Sequence, residues 1–385
     1  MTPAPFALHI PEDAIRDLKG RLARTRFPDQ APGTGWTYGT DLAFMTRAMT
    51  HWRERYDWRQ TEAALNALPN YRLAIDGLDL HFLHVPGKGP DPLPLLLSHG
   101  WPGSVLEFLD LIPRLTDPAR FGGDPADAVT LVVPSLPGYT LSFAANGPRY
   151  GIEEISPLFL RLMTALGYDR FAAQGGDWGS FVTARMAHDA PERLIGIHLN
   201  MTALPINPAS IETPTPEEAR YAAEMKVFAA QETGYQWIQG TRPQTLAYGL
   251  SDSPAGLAAW IFEKFRSWTD CGGDVESVLS LDRMLGLISL YWFTGCIGSS
   301  FHPYVTRRQR PFPMPRPITV PTGVAAFPHE IIRPPRSLVE RLYPDLRHWT
   351  AMPRGGHFAA MEAPEALAAD IQAFLRPLRR GAQTG

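Results

Sequence analysis

Cysteine is scarce in this 385-residue sequence: Cys271 and Cys296 are the two it contains. Two thiols cannot staple a chain of that length, so a disulfide-built scaffold is excluded, and reduced thiols of a cytosolic protein are expected. An excess of one charge is lacking too. Thirty-six basic residues face 39 acidic ones, for a formal net charge of −3. The Lys and Arg are scattered, so the footprint of a nucleic-acid binder, or of a protein drawn to an anionic membrane, is missing. Long apolar runs are lacking as well. The longest, Met284 to Ile297, falls short of the roughly 20 residues that a spanning helix needs and reads as a buried helix. The opening MTPAPFALHIPEDA has neither a basic n-region nor an apolar h-region and does not read as a signal peptide. A cytoplasmic chain is expected, with neither membrane nor nucleic acid as partner.

What is present suits a large globular core. Hydrophobic residues make up 44% and charged residues 19%, ordinary proportions for a folded domain that needs no staples. Residues 1–70 read as a helical, meandering segment. A helix is expected after Pro11, with Ile15, Leu18 and Leu22 at helical spacing. Thr25 to Asn70 is rich in Trp, Tyr and Arg and reads as helices and loops wrapped on something larger. Residues 71–200 change character. Leu73 to Ile75, the turn Asp76-Gly77 and Leu78 to Val85 form a hairpin pattern. Leu93 to Ser98 and Val129 to Val133 are apolar on both faces, as central strands of a parallel sheet are. A helix from Val105 to Leu115, a helix from Ile155 to Leu166, a strand from Phe171 to Gln174, a helix from Ser180 to His188 and a strand from Ile195 to Leu199 continue the alternation. That order predicts a doubly wound, mostly parallel α/β sheet.

The alternation stops at Asn200. Residues 201–314 read as a helical insertion, a cap, with a helix starting at Thr215-Pro216-Glu217-Glu218: Thr at N-cap, Pro at N1, Glu at N3. Arg307 to Pro317 reads as a linker. Residues 315–385 return to the sheet, with strands at Ile318 to Ala326 and Leu346 to Met352 and a helix from Pro364 to Leu378.

Gly175-Gly176-Asp177-Trp178-Gly179 lies between an expected strand and an expected helix. This is the G-x-nucleophile-x-G pattern of a nucleophile elbow. A sharp strand-to-helix turn needs neighbours without Cβ atoms, and the helix N-terminus behind it favours a carboxylate. Asp, not Ser, occupies the centre, and G-x-S-x-G occurs nowhere, so a serine esterase is a poor reading. Alone, the pentapeptide is equally a Gly-rich turn with Asp177 as a helix cap. His99-Gly100-Trp101-Pro102-Gly103, after the strand Leu93 to Ser98, alters the balance. In an α/β-hydrolase this loop and the residue after the nucleophile supply the backbone N–H groups of an oxyanion hole, here Trp101 and Trp178.

Together these motifs resemble the microsomal-type epoxide hydrolases and their soluble bacterial relatives. The resemblance covers nearly the whole chain. PFALHIP, GWTYG, HWRERYDWR and IDGLDLHFLHV are similar to that family's N-terminal region. HGWPGS, PSLPGY and GGDWGS match its core, SDSPAGLAAWIFEKF and LYWFTGCIGSS its cap, and VPTGVAAFPHE and RGGHFAAMEAPE its late core. The resemblance implies an α/β-hydrolase fold. It implies Asp177 as covalent nucleophile, His357 as general base, Glu330 as its orienting acid, and the cap tyrosines Tyr235 and Tyr304 as proton donors to the epoxide oxygen. The indole side chains of Trp101 and Trp178 are expected to line the pocket. No cofactor and no metal is expected, and the partner is a small-molecule epoxide; a homo-oligomer is left open. One departure is His302-Pro303 just before Tyr304, where the family often has an Arg and no Pro. His329 and His99 read as structural. Two other functions share the pattern: a haloalkane dehalogenase with the same Asp nucleophile, and a non-catalytic relative of the fold that only binds.

Overall fold

The computed structural model of the chain describes residues 2–202, 204, 210–310, 314 and 316–382. Its centre is a nine-stranded sheet with the order β1-β2-β3-β5-β4-β6-β7-β8-β9. The strands are β1 (Ala4–Pro5), β2 (Asn70–Ile75), β3 (Leu78–Val85), β4 (Leu93–Ser98), β5 (Val129–Pro134), β6 (Phe171–Gly175), β7 (Leu194–Leu199), β8 (Thr322–Ala326) and β9 (Leu346–Ala351). From β5 to β9 every neighbour is parallel; β1, β2 and β3 add an antiparallel edge. The hairpin between β2 and β3 turns at Asp76 and Gly77, with φ of 51° and 79°. Such left-handed values at both turn residues match the twist of the flanking strands.

The strands that carry the site are apolar because both faces are covered. Leu95, Leu96 and Leu97 of β4 are fully buried, as are Leu131, Val132 and Val133 of β5. The helices Ile152–Ala165, Asp177–Asp189 and Pro364–Ala382 belong to this α/β body. Between β7 and β8 the chain leaves the sheet for the helices Pro216–Gln231, Gly234–Thr241, Pro243–Asp252, Pro254–Trp268, Leu281–Thr294, Ile297–Ser300 and His302–Gln309. The first of these starts with a full capping box: Thr215 Oγ1 accepts from Glu218 N–H and Glu218 Oε2 accepts from Thr215 N–H. The N-terminal helices Glu12–Ala23, Leu42–Glu54 and Trp58–Asn66 lie against this cap. Phe44 meets Phe262 edge-on at 5.1 Å between ring centres, and Trp58 meets Phe293 at 5.0 Å. Among the described residues no single helix is long and apolar enough to cross a membrane, and Leu281–Thr294, holding most of the longest apolar run, is largely buried.

Four sequence expectations shift. The stretch Val105 to Leu115 is not one helix but a 3₁₀ turn, Val105–Phe108, followed by a helix, Leu111–Thr116. Pro113 is tolerated only in a first turn, so the helix must restart just before it. The strand expected from Ile318 begins at Thr322, because Pro321 has no N–H to give a ladder. The helix expected from Ser180 starts at Asp177 itself. Of the expected linker, Arg307 to Gln309 belongs to the helix His302–Gln309, while residues 311–313 and 315 lie outside the described residues.

Candidate active site

Asp177 sits where β6 ends and its helix begins. Its φ is +48°, a left-handed value that an L-residue keeps only when its surroundings enforce it. Close approach enforces it here. A Cβ at Gly175 would run into the carbonyl of Gly179, and one at Gly179 into that of Ser98. The carboxyl is therefore lifted off the sheet end, at a helix N-terminus that favours an anion.

Each carboxyl oxygen has its own partner. Oδ1 accepts the Trp101 N–H at 2.7 Å. Oδ2 lies 3.2 Å from His357 Nε2. On the other side of that ring, Nδ1 lies 2.7 Å from Glu330 Oε1. Glu330 follows β8 and His357 follows β9, so both reach the site from strand ends on one side of Asp177. Trp178, the second residue of its helix, is among the first-turn N–H groups that have no partner within the helix. Burial opposes a charge on His357, but the carboxylates of Glu330 and Asp177 outweigh it and hold the imidazole pKa well above its ordinary value. The resting site is thus an imidazolium between two carboxylates.

The histidine loop is tied down by groups that sequence reasoning passed over. His357 N–H donates to Trp268 O at 2.8 Å. Glu362 accepts from the N–H groups of Asp270, Gly356 and Phe358 at 2.8, 3.0 and 3.0 Å. His329 is largely exposed and pairs with Asp270 at 3.1 Å, outside the cluster. His99 is buried beneath the Trp101 loop and bonds only backbone groups.

The two cap tyrosines stand together above the carboxyl. Tyr235 comes from Gly234–Thr241 and Tyr304 from His302–Gln309, with ring centres 5.7 Å apart. Pro303 falls in the first turn of the second helix, where proline is at home, so Tyr304 keeps its place despite His302-Pro303. Trp101 stacks on Tyr235 at 5.6 Å, and Trp178 meets Tyr304 edge-on at 4.8 Å. Burial pushes both phenols well above their ordinary pKa, so both are neutral O–H donors. Asp177, Trp178, Phe181, Met201, Tyr235 and Tyr304 are among the residues lining a cavity of about 390 Å3.

Two more neighbours were missed. Trp268 packs between Tyr235 and His357, with ring centres at 5.2 and 4.9 Å. Lys264 is buried, with Nζ 4.6 Å from the centre of the Tyr235 ring, and pairs with Glu263. A signal for Lys264 existed: it is the one charge among Leu257, Ile261, Phe265 and Trp268, buried on the same helix.

A carboxylate at a strand–helix elbow, faced by a histidine and an acid from two later strand ends of a mostly parallel sheet, defines a hydrolase of the α/β-hydrolase fold. Comparison with known proteins narrows this. Residues 3–108 match the family described as epoxide hydrolase N terminus, and residues 94–262 match the alpha/beta hydrolase fold. A Stigmatella aurantiaca protein, named provisionally as an epoxide hydrolase, is 45% identical across 97% of this chain and 85% of its own. Epoxide hydrolase 1 of Oryctolagus cuniculus is 37% identical across 98% of this chain and 89% of its own. Among solved structures, the juvenile hormone epoxide hydrolase of Bombyx mori superposes with a TM-score of 0.90 at 33% identity, covering 99% of this chain and 96% of that one. The chain belongs to the epoxide hydrolase family, and its activity is the hydrolysis of epoxides.

Proposed function

We propose that the chain converts an apolar epoxide and water to a vicinal diol in two half-reactions that share Asp177. In the first, Oδ2 attacks a ring carbon, the ring C–O bond breaks, and the departing oxygen takes a proton from Tyr235 or Tyr304. Two phenols gripping one oxygen pull harder as charge builds on it, which lowers the barrier and not merely the ground state. Oδ1 becomes the ester carbonyl, already bonded to Trp101 N–H.

Alkylation also prepares the second step. It removes the negative charge on Asp177, one of the two charges that hold a proton on His357. That proton returns to the phenolate, leaving a neutral imidazole oriented by Glu330. His357 then takes a proton from water as its oxygen attacks Cγ of Asp177. The N–H groups of Trp101 and Trp178 hold the oxyanion. Collapse breaks the bond from Cγ to the alkoxy oxygen, which takes the proton from His357 and leaves as the diol. The acid proton on Asp177 passes to His357 and restores the starting ion pair.

The observation that carries this reading is the division of one carboxyl: Oδ1 on an oxyanion donor, Oδ2 on the histidine, both below two neutral phenols. The lining of the 390 Å3 cavity, largely apolar with Arg307 and Arg308 among its members, suits a largely apolar epoxide of moderate size. A single turnover of styrene oxide in heavy-oxygen water tests the mechanism. Label in the Asp177 carboxyl is the expected result, with no diol from Asp177→Ala; label in the diol alone would show direct attack of water on the ring.

A further inference from the structure

Asp177 borders two cavities. The larger is the cavity of about 390 Å3 lined by the tyrosines. The smaller is a chamber of about 20 Å3, and its lining includes Ser98, Glu107, Gln174, Asn200 and His357. Asp177 is the one residue common to the two linings. A volume of that size admits a single water, provided the walls offer two to four polar partners. These walls do. Ser98 Oγ and Gln174 Oε1 are buried and have no hydrogen-bond partner among the described residues. The Gln174 amide is fixed by donating Nε2 to Asn200 Oδ1 at 2.7 Å. Glu107 Oε1 accepts from Ser104 N–H at 3.2 Å. Two glycines let the acids come close: a Cβ at Gly103 would land on the Glu107 carboxyl, and one at Gly100 on that of Asp177.

We propose that this chamber holds the water that hydrolyses the Asp177 ester, and that Glu107 and Gln174 are its positioning residues. The inference rests on the covalent mechanism above and adds a separate origin for the water. The epoxide comes to Asp177 through the larger cavity; the nucleophilic water waits on the His357 side, in the smaller one. The valences of one water fit. It donates to His357 Nε2 and to Gln174 Oε1, accepts from Glu107, and keeps one lone pair for Cγ. Glu107 can donate because withdrawal from bulk water pushes its carboxyl up to about 8, against the opposing pull of His357. A neutral acid also avoids repelling the Asp177 carboxylate before alkylation.

Glu107→Met tests this. Met keeps the volume but offers the water no donor, whereas Glu107→Gln, which keeps an oxygen for the Ser104 N–H and an amide N–H in place of the acid O–H, is expected to retain ester decay. Styrene oxide is mixed with enzyme in single-turnover amounts, samples are quenched, and the protein ester is followed by intact mass. In Glu107→Met, ester formation is expected within about threefold of wild type, whereas ester decay slows on the order of 100-fold, the loss expected of a misplaced reactant. In the steady state kcat and KM should then fall together, with kcat/KM preserved. Slowed ester formation would make Glu107 a mere support of the Trp101 loop and overturn the proposal, as would unchanged decay. Should Glu107→Met not fold, Gln174→Met decides on the same readout. If wild type forms no ester at all, the covalent mechanism fails instead, so the two failures are distinct.

Discussion

A phenol in a folded interior is usually a packing group with a bonded hydroxyl; what sets Tyr235 and Tyr304 apart is that they face each other over one carboxyl. Each ring is braced by a tryptophan, Trp101 under Tyr235 and Trp178 beside Tyr304. Tyr235 OH accepts from Gln236 Nε2 at 2.8 Å. Removing either hydroxyl leaves one donor, so Tyr235→Phe and Tyr304→Phe are each expected to slow ester formation by about 10- to 100-fold, below the full 10²–10⁴ of general acid catalysis. The double variant should form no measurable ester. Stopped-flow tryptophan fluorescence with styrene oxide follows the step, because two indoles line the reacting centre. If one single variant is as inactive as the double, the oxygen is held by one phenol and not two.

At the scale of elements, the Trp101 loop is held by His99, which joins the end of β4 to the loop after β5. Its Nδ1–H donates to Gly100 O at 3.0 Å, and its Nε2 accepts from Leu136 N–H at 3.0 Å. Only the neutral ring can do both, and burial pushes the pKa down to about 4. The folded value lies below the unfolded one, about 6.5, so the stability His99 contributes is present above that pH and is lost as pH falls towards 4. Between pH 6.5 and 5 this amounts to about 2 kcal/mol. Urea unfolding at pH 7 and pH 5 should show His99→Gln less stable at pH 7 but losing about 2 kcal/mol less on acidification; equal losses would mean that the charged ring is accommodated. Such ties show why some elements were legible in the sequence and others were not. β4 and β5 announce themselves because burial on both faces demands unbroken apolar runs, and the elbow because its turn excludes Cβ atoms. The antiparallel strand β1 is two residues long and exists only through its pairing with β2. Glu107 closes a capping box begun by Ser104. Its place beside Asp177 arises only because β4 and β6 are neighbours in the sheet. Trp268 reaches the site from the inserted helices, at a distance in sequence that no local pattern encodes; for Lys264 the helix pattern marks the burial but not the neighbours.

Across the whole molecule, the N-terminal segment bears on the site through the cap. Trp52 is almost wholly buried, and its Nε1–H donates to Ser289 Oγ at 3.0 Å. Ser289 lies on Leu281–Thr294, and two residues further on the Tyr291 hydroxyl donates to Gly103 O at 2.8 Å. Gly103 closes the loop whose Trp101 N–H holds Asp177. Packing therefore runs without a break from the first seventy residues to the Trp101 N–H that holds Asp177. Trp52→Ala should cost about 3–5 kcal/mol of unfolding free energy and, at a temperature where the variant remains folded, should also lower kcat/KM, because the Trp101 N–H holds the Asp177 carboxyl. Trp52→Phe fills most of the space and removes the N–H donated to Ser289 Oγ, a loss of about 0.5–1.5 kcal/mol, with kcat/KM held. Urea unfolding and steady-state kinetics on styrene oxide separate the two effects. A folded Trp52→Ala enzyme with undiminished kcat/KM would mean that the segment stabilises the cap without positioning the loop.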